Sequence, residues 1–307
     1  MPLRLPDNLP AIKMLEDENI FVIDETRGHS QDIRPLRIVV LNLMPIKITT
    51  ETDLIRILSN TPLQVDVTFM KLKSHTSKNT PIEHMQQFYI DFDELRNRKF
   101  DGMIITGAPL DDFTFEQVTY WPEIQEIFAW AKTHVTSTMY ICWAALAALY
   151  EFHQVGRVVY PQKLFGIFEQ NIIPDHRETP LFRGFDSTFR IPQSRHMGAN
   201  TDDIIACRDL EVLSASPETG PSVMMAREGR EIYVTGHFEY NPDTLDTEYK
   251  RDLGKRNDVP LPLHYYRDDD PAKGPAVTWR AHANLFFQNW INYYVYQKTP
   301  YDINKIS

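Results

Sequence analysis

A candidate nucleophile, Cys142, lies between a strand-like and a helix-forming segment. Residues 137–141 are typical of a strand, and the Ala- and Leu-rich residues 143–149 strongly favour a helix. A sharp strand-to-helix turn exposes a sulfur, and the helix N-terminus favours its thiolate form. Such a thiolate can attack a carbonyl, and the backbone N–H of Trp143 can stabilise the resulting oxyanion. The alternative is that Cys142 is a small buried core residue, as many free cysteines are.

A base for this cysteine is offered by His237, which directly follows the strand-like residues 231–234 and the pair Thr235-Gly236. Glu239 stands two positions further on. At the end of a strand the imidazole can face the thiol, while the carboxylate fixes its tautomer and orientation. A histidine satisfied within a turn is the competing interpretation, since His-x-Glu spacing is common.

Three further features indicate ligand binding. The loop Gly107-Ala108-Pro109 follows a strand-like run and can approach a reacting carbonyl, although Gly and Pro also mark ordinary turns. Lys47, Lys163 and Arg251 can each bind a carboxylate, and any one alone is typical of surface charge. The sequence has no P-loop, no GxGxxG after its first strand and no HExxH, so neither a nucleotide cofactor nor a catalytic metal is indicated.

The elements that position these residues alternate between strand and helix. Strands are predicted at 36–41, 63–72, 103–105 and 137–141, and then, as shorter pieces, at 164–168, 189–192, 210–213 and 231–234. Helices are predicted from Thr50, with Asp53 completing a capping box, and at 81–92, 115–135 with a bend or restart at Pro122, 143–149, 240–251 and 285–296. Residues 257–272 are predicted to form a long ordered loop or lid. This order predicts an α/β fold with a doubly wound, mostly parallel sheet flanked by helices, whose ligands bind outside the carboxyl ends of its strands.

Composition limits the class of protein. With 307 residues and 42% hydrophobic content, we expect a single catalytic domain with an N-terminal extension (1–35), a core (36–255) and a C-terminal loop and helix packed on it (256–307). The net charge of -10 argues against nucleic acid and anionic membrane as main partners. The two cysteines, Cys142 and Cys207, show no disulfide or metal spacing, and no signal peptide or membrane span is evident. A cytoplasmic location and small-molecule substrates are therefore predicted.

Several segments resemble one enzyme family along nearly the whole chain. They include Thr106-Gly107-Ala108-Pro109, Cys142-Trp143-Ala144 and Thr235-Gly236-His237 with Glu239-Tyr240. Further matching segments are 33–36, 41–45, 58–65, 79–81, 134–138 and 292–296. The sequence is thereby identified as a member of the homoserine O-acyltransferases, also called homoserine transsuccinylases.

The resemblance implies a class I glutamine amidotransferase-like, flavodoxin-like fold and a two-step, ping-pong acyl transfer. By this resemblance Cys142 attacks the acyl-CoA thioester, His237 acts as base and Glu239 orients the base. Splitting the transfer keeps the acyl group activated toward an alcohol. Lys163, Ser194 and Arg251 match substrate-binding positions, and an Arg suits an amino-acid carboxylate. Acyl-CoA is then a co-substrate, no cofactor is bound, and a homodimer is expected.

The acyl donor is indicated by Asp111. In this family a glycine at that position goes with succinyl-CoA and a glutamate with acetyl-CoA. A carboxylate repels the free carboxylate of a succinyl group, so Asp111 indicates acetyl-CoA. The predicted reaction is acetylation of the L-homoserine hydroxyl, a step toward methionine.

Alternatives remain at this point. Succinyl-CoA can be the donor, since Asp is shorter than Glu and blocks the space for a succinyl group less completely. Serine can be the acceptor, in cysteine synthesis, because Ile46, Leu146 and Gln193 depart from the family pattern near the site. A glutamine amidotransferase-type hydrolase would use the same Cys, His and Glu, and an inactive binding protein can have this scaffold.

Overall fold

A computed structural model describes residues 3–6, 9–17, 22–24, 34–77, 79–255, 259–300 and 302–306. Within these residues the strands are β1 (Leu3–Leu5), β2 (Val22–Asp24), β3 (Leu36–Leu41), β4 (Val65–Lys71), β5 (Tyr89–Asp91), β6 (Phe100–Ile105), β7 (Val135–Ile141), β8 (Arg157–Ile172), β9 (Thr188–Ala199), β10 (Glu211–Ser216), β11 (Gly220–Ala226) and β12 (Glu231–Val234). The α-helices are α1 (Pro10–Asp17), α2 (Lys47–Leu58), α3 (Ile82–Phe88), α4 (Phe92–Leu95), α5 (Trp121–His134), α6 (Trp143–His153), α7 (Thr201–Ala206), α8 (Thr244–Leu253) and α9 (Arg280–Asn289).

All strands of the described residues belong to one sheet, in the order β2-β1-β4-β3-β6-β7-β12-β11-β10-β8-β9, with β5 paired to β4. In this spatial order, all neighbouring strands from β2 to β12 pair in parallel, as do β4 and β5. The remaining pairs, β12-β11, β11-β10, β10-β8 and β8-β9, are antiparallel. The predicted α/β fold with a mostly parallel sheet is therefore confirmed. The division into extension, core and C-terminal segment stays a prediction.

Both faces of the parallel sheet are covered by apolar side chains. In β3, Ile38 and Val40 join the hydrophobic cluster on one face, whereas Val39 and Leu41 join the cluster on the other. Successive side chains of a strand point to opposite faces, so a strand covered on both sides must be apolar at every position. Helices α2 and α9 pack on the first face and α5 and α6 on the second.

The start of α2 differs from the prediction. The helix begins at Lys47, with Ile46 at its N-cap, and not at Thr50. The Thr50 hydroxyl donates to the carbonyl of Ile46 one turn earlier, and Asp53 accepts a hydrogen bond from Arg56, 2.9 Å away. The predicted capping box is wrong because both side chains bond within the helix.

Two other predicted helices are interrupted. The predicted helix 81–92 ends at Phe88, because the next three residues extend and pair with β4, with Tyr89 opposite Phe69. The C-terminal helix begins earlier than predicted, at Arg280, and changes to a π-helix over Trp290–Tyr296. Apolar spacing alone does not reveal where backbone pairing or a change of helix type intervenes.

Other elements begin close to their predicted bounds or are longer than predicted. Residues Phe115–Gln117 form a 3-10 turn and α5 starts anew at Trp121, with Pro122 in its first turn. The short predicted strands 164–168 and 189–192 are parts of long β8 and β9, and β11 was not predicted. Residues 256–258, around the start of the predicted long loop, lie outside the described residues.

The C-terminal loop is fixed to the sheet at one close backbone contact. Leu263 donates its N–H to the carbonyl of Phe165 at 2.9 Å and accepts the N–H of Ile167 at 2.8 Å. Gly166 lies between these partners with φ at +143°, and a Cβ there would stand 2.3 Å from the Leu263 oxygen. Only glycine allows this approach.

We therefore expect Gly166→Ala to lower the free energy of unfolding by more than about 2 kcal/mol, through overlap with Leu263 and the unfavourable φ. Thermal or urea unfolding measures the change. Gly254→Ala is the matched control, because a Cβ there would stand 3.4 Å from the Arg251 carbonyl oxygen, at ordinary contact distance. Equal stability of the two variants would contradict this account of the loop.

Candidate active site

Cys142 occupies the turn between β7 and α6, in a backbone conformation that a side chain rarely adopts. Its φ is 52° and its ψ -114°. The turn is held because the Cys142 N–H donates to the carbonyl of Val234 at 2.7 Å and its carbonyl accepts the N–H of Leu146 at 3.1 Å. Cys142 is 8% exposed. A strained residue fixed at the carboxyl end of a central strand is the arrangement expected of a nucleophile turn.

His237 and Glu239 follow the neighbouring strand β12 and meet Cys142. The Nδ1 of His237 lies 2.7 Å from Oε1 of Glu239. The Gly107 backbone lies close to both the His237 ring and the Cys142 side chain, which places these two side chains next to each other. The His237 ring stacks on the Tyr240 ring, with centroids 4.0 Å apart. Both His237 and Glu239 are buried. The carboxylate at Nδ1 leaves the other ring nitrogen free to exchange a proton with the thiol.

The charges around His237 favour its protonated form. Burial by itself would lower the pKa of His237, but the adjacent Glu239 and Cys142 outweigh it and raise that pKa well above its usual range. An opposite charge at hydrogen-bond distance stabilises the imidazolium more strongly than in water, because the site is shielded from solvent. The arrangement thus favours an imidazolium paired with the sulfur of Cys142.

The loop after β6 closes over this pair. A Cβ at Gly107 would stand 3.1 Å from the Cys142 Cβ and 3.4 Å from the His237 Cε1. Glycine therefore lets the backbone approach both side chains, and the approach of this loop to a reacting carbonyl stays a prediction. Trp143 is the first residue of α6, so its N–H has no hydrogen-bond partner within the helix.

These side chains open into a cavity of about 210 Å³. Its lining comprises Met44, Pro45, Gly107, Ala108, Pro109, Asp111, Cys142, Lys163, Ser194, His196, His237, Tyr240, Glu248, Arg251 and Asp252. The predicted residues Lys163, Ser194, Arg251 and Asp111 are thus brought to the same cavity as Cys142. Another cavity, of about 240 Å³, is bordered by Thr136, Arg230 and Tyr294 at the opposite end of β7.

A network of charged side chains forms one wall of the cavity. Glu248 accepts hydrogen bonds from the Ser194 hydroxyl and, at 3.3 Å each, from Lys163 Nζ and the Tyr240 hydroxyl. Lys163 also lies 3.7 Å from Asp252, which accepts from Arg251 Nε at 2.9 Å. The wall therefore combines cations for a carboxylate with a carboxylate for an ammonium group.

Glu248 was not among the predicted site residues. It precedes Arg251 by three positions in α8, and residues three apart lie on one face of a helix. That spacing next to Arg251 was the available signal. Tyr240 and His196 were likewise not predicted as site residues, although Tyr240 directly follows Glu239 and His196 stands two positions after Ser194.

Lys47 lies outside the cavity lining. Its ammonium group donates to the carbonyls of Asn42 and Met44, at 2.5 and 3.3 Å. Burial lowers the pKa of Lys47 to about 8, opposed by the charge of Glu51. Its described contacts support the loop that carries Met44 and Pro45, and a substrate contact of Lys47 stays a prediction.

The residues that depart from the family pattern lie in different environments. Ile46 is exposed and Leu146 is buried in α6. Gln193 is fully buried, its Oε1 accepts from Arg195 Nε at 2.9 Å, and its Nε2 has no hydrogen-bond partner in the described part of the chain. None of the three is in the cavity lining.

A second carboxyl group lies behind Glu239. Asp53 of α2 and Glu239 border the same small cavity, and Glu239 Oε2 is buried with no hydrogen-bond partner among the described residues. Burial raises the pKa of Asp53 to about 7; Arg56 opposes the rise and Glu239 adds to it. Two carboxyl groups in one buried space disfavour double ionisation.

In the described ranges there is no cluster of three or more His, Cys, Asp or Glu side chains arranged to hold a metal ion. None of the helices described is both long and apolar enough to span a bilayer.

The fold is that of the glutamine amidotransferase-like class of α/β proteins. A glutamine amidotransferase from Thermotoga maritima superposes with a TM-score of 0.53 at 13% identity, covering 85% of this chain and 98% of that one. A GMP synthase component from Thermoplasma acidophilum gives 0.50 at 15% identity, covering 73% of this chain and 100% of that one. These likenesses show the fold.

The sequence comparisons are more specific. The family model of homoserine O-succinyltransferase matches residues 2–301. A protein of Bacteroides thetaiotaomicron named homoserine O-acetyltransferase is 63% identical over 307 residues, covering 100% of both chains. One of Brevibacillus brevis with the same name is 54% identical over 304 residues, covering 99% of both. The chain belongs to the homoserine O-succinyltransferase family, and it is thereby an acyltransferase.

We expect Asp53→Asn to remove a pH-dependent loss of stability. An unfolded aspartate titrates near pH 4, whereas the folded-state pKa of Asp53 is about 7, so ionisation of Asp53 favours unfolding as pH rises between these values. Relative to wild type, the variant should gain roughly 2 kcal/mol in free energy of unfolding between pH 5 and pH 8. Urea titrations at both pH values measure this difference.

Asp209→Asn, at an exposed position, is the control for loss of a negative charge. A difference between Asp53→Asn and wild type that stays constant from pH 5 to pH 8 would show that Asp53 does not titrate in this range.

Proposed function

We propose that the chain is a homoserine O-acetyltransferase. It transfers the acetyl group of acetyl-CoA through a Cys142 thioester to the hydroxyl of L-homoserine, giving O-acetyl-L-homoserine and CoA in methionine biosynthesis. The observation that carries the proposal is the common cavity of Cys142, His237, Asp111 and Arg251. The full-length relatives named homoserine O-acetyltransferase support it.

In the first half-reaction the Cys142 sulfur attacks the thioester carbonyl of acetyl-CoA. Negative charge develops on the carbonyl oxygen, and the N–H groups of Trp143 and the Gly107 loop are the proposed donors to it. The tetrahedral intermediate collapses by breaking the bond to the CoA sulfur, which takes the proton of the His237 imidazolium. Glu239 keeps the imidazole oriented through Nδ1.

In the second half-reaction His237 acts as a base. Acylation removes the negative charge of the Cys142 sulfur, one of the groups that raise the pKa of His237. The ring then remains neutral and accepts the proton of the homoserine hydroxyl as its oxygen attacks the acyl-thioester carbonyl. The bond between the acyl carbon and the Cys142 sulfur breaks, which releases O-acetyl-L-homoserine and restores the sulfur beside the His237 imidazolium. The two steps thus follow a ping-pong order, in which His237 donates a proton in the first step and accepts one in the second.

The charged wall of the cavity suits an α-amino acid. We assign the substrate carboxylate to Arg251 and Lys163 and the ammonium group to Glu248, with Ser194 holding Glu248 in place. Each charge of the zwitterion then meets an opposite charge. The side-chain hydroxyl would extend toward Cys142.

Asp111 supports acetyl over succinyl as the donor group. Burial raises the pKa of Asp111, and nearby His196 opposes this rise. An ionised carboxyl group in the cavity wall repels the distal carboxylate of a succinyl group and leaves a neutral acetyl group unaffected. Its backbone carbonyl is held by Arg157 at 3.3 Å.

Two alternatives use the same cavity. Serine is one methylene shorter than homoserine, and pockets discriminate such a difference by only about 1–3 kcal/mol. A glutamine amidotransferase-type hydrolase would use the same three residues but release ammonia from an amide. The proposal includes a cytoplasmic location and a homodimer, both expected from the sequence and its family resemblance.

The test is a substrate matrix of acetyl-CoA, succinyl-CoA and glutamine against L-homoserine and L-serine, following CoA or ammonia release. We expect acetyl-CoA with homoserine to be the best pair, and acetyl-CoA alone to add one acetyl group to the protein by intact mass. Cys142→Ala should abolish both signals, because the thioester forms on the Cys142 sulfur.

A best rate with serine or succinyl-CoA would replace the acceptor or the donor in the proposal. Ammonia release from glutamine without CoA release would replace the acyl transfer by hydrolysis. Correct folding of Cys142→Ala is checked by an unchanged melting temperature.

We expect Asp111→Gly to raise the use of succinyl-CoA relative to acetyl-CoA by at least about tenfold in kcat/KM, because the repulsive carboxylate is removed. Asp111→Asn removes the charge at nearly constant size. A shift in the Gly variant alone would assign the selectivity to space rather than charge, and no shift in either variant would show that Asp111 does not select the donor.

A further inference from the structure

A second cluster with a cysteine, a histidine and a carboxylate lies outside the acyl-transfer cavity. Cys207 ends α7, His153 ends α6, and Tyr233 and Glu231 project from β12. The Cys207 sulfur is 3.7 Å from His153 Nδ1, and His153 Nε2 is 3.0 Å from the Tyr233 hydroxyl. None of the four lines the cavity of Cys142.

The hydrogen bonds determine which nitrogen of His153 carries the proton. The single O–H of Tyr233 donates to Glu231 Oε2 at 2.9 Å, so its oxygen must accept from His153 Nε2. A neutral imidazole has one N–H, and its other nitrogen is an acceptor. His153 Nδ1 therefore presents a lone pair to the Cys207 thiol.

Glu231 lies beside His153 as a buried carboxylate. Burial by itself would raise the pKa of Glu231, but the contacts of this carboxylate with His153, Lys132 and Arg227 lower it to about 2. Its Oε2 is 3.8 Å from His153 Nε2. The cluster therefore places a carboxylate on the side of the imidazole that is opposite the Cys207 thiol.

Cys207 is more accessible than the candidate nucleophile. Cys142 is buried, whereas Cys207 is partly exposed, with exposed residues on both sides of it in the chain. The two cysteines are associated with opposite ends of α6, whose 11 residues span roughly 16 Å. A small reagent can therefore reach Cys207 without entering the acyl-transfer cavity.

We propose that Cys207 is a reactive thiol, with His153 as its base, and a site of oxidation by small hydroperoxides. His153 takes the thiol proton, and the sulfur attacks one peroxide oxygen. A sulfur–oxygen bond forms and the oxygen–oxygen bond breaks. The sulfur loses two electrons and becomes a sulfenic acid, while the departing oxygen takes the proton from His153 and leaves as water or an alcohol.

The two-cysteine chain allows a direct test. In Cys142→Ala, Cys207 is the only thiol, and its reaction with hydrogen peroxide is followed by trapping the sulfenic acid with dimedone and measuring intact mass. We expect trapping to be about tenfold slower after adding His153→Asn, because asparagine places an amide there but accepts no proton. Tyr233→Phe, which removes the hydroxyl and keeps the ring, should also slow it.

Two measurements keep the proposal falsifiable. His153→Asn in the chain with Cys142 intact should retain its melting temperature and acyl transfer, which excludes misfolding as the cause of a slower reaction. The native Cys142→Ala protein should also react faster than the same protein unfolded in urea at the same pH. Equal rates with and without His153, or in native and unfolded protein, would overturn the proposal.

Discussion

The hydrogen bond from the Cys142 N–H to the Val234 carbonyl joins the two halves of the proposed catalytic arrangement. It fixes the end of β7 against the end of β12, so the cysteine turn and the segment carrying His237 share one edge of the sheet. The turn has a strained backbone, which costs of order 1–3 kcal/mol. The apolar helix α6, buried over most of its length, offsets that cost because it can pack only if the chain turns sharply at Cys142.

The cavity depends on pairing its buried and half-buried charges. Lys163 lies within ion-pair distance of both Glu248 and Asp252, and His237 has a carboxylate at Nδ1. Removing such charges from water is unfavourable unless each has a partner, so the partners must be assembled together. A substrate with both a carboxylate and an ammonium group can exchange into this network without leaving a charge unpaired.

The same elements carry ionisable groups at both ends. Helix α6 starts after Cys142 and ends at His153, and β12 starts at Glu231 and leads to His237. Strong packing between α6, β7 and β12 keeps the two clusters at fixed separation. The buried Glu231 has cationic and phenolic partners, whereas Glu239 retains one unpartnered oxygen within the described structure.

The sequence by itself determined the strand-helix alternation, the cysteine turn and the family. The apolar runs at 36–41 in β3 and at 103–105 in β6 were visible because strands covered on both faces are largely apolar. Local patterns did not reveal β11, the break at Tyr89 or the true start of α2, because pairing with distant strands and hydrogen bonds within the helix decide these boundaries. The tertiary structure alone showed that Glu248 and Tyr240 join the cavity, that Lys47 lies outside its lining, and that Asp53 is next to Glu239. Those placements follow from how helices pack across the carboxyl edge of the sheet, a relation between residues far apart in the chain that no short segment encodes.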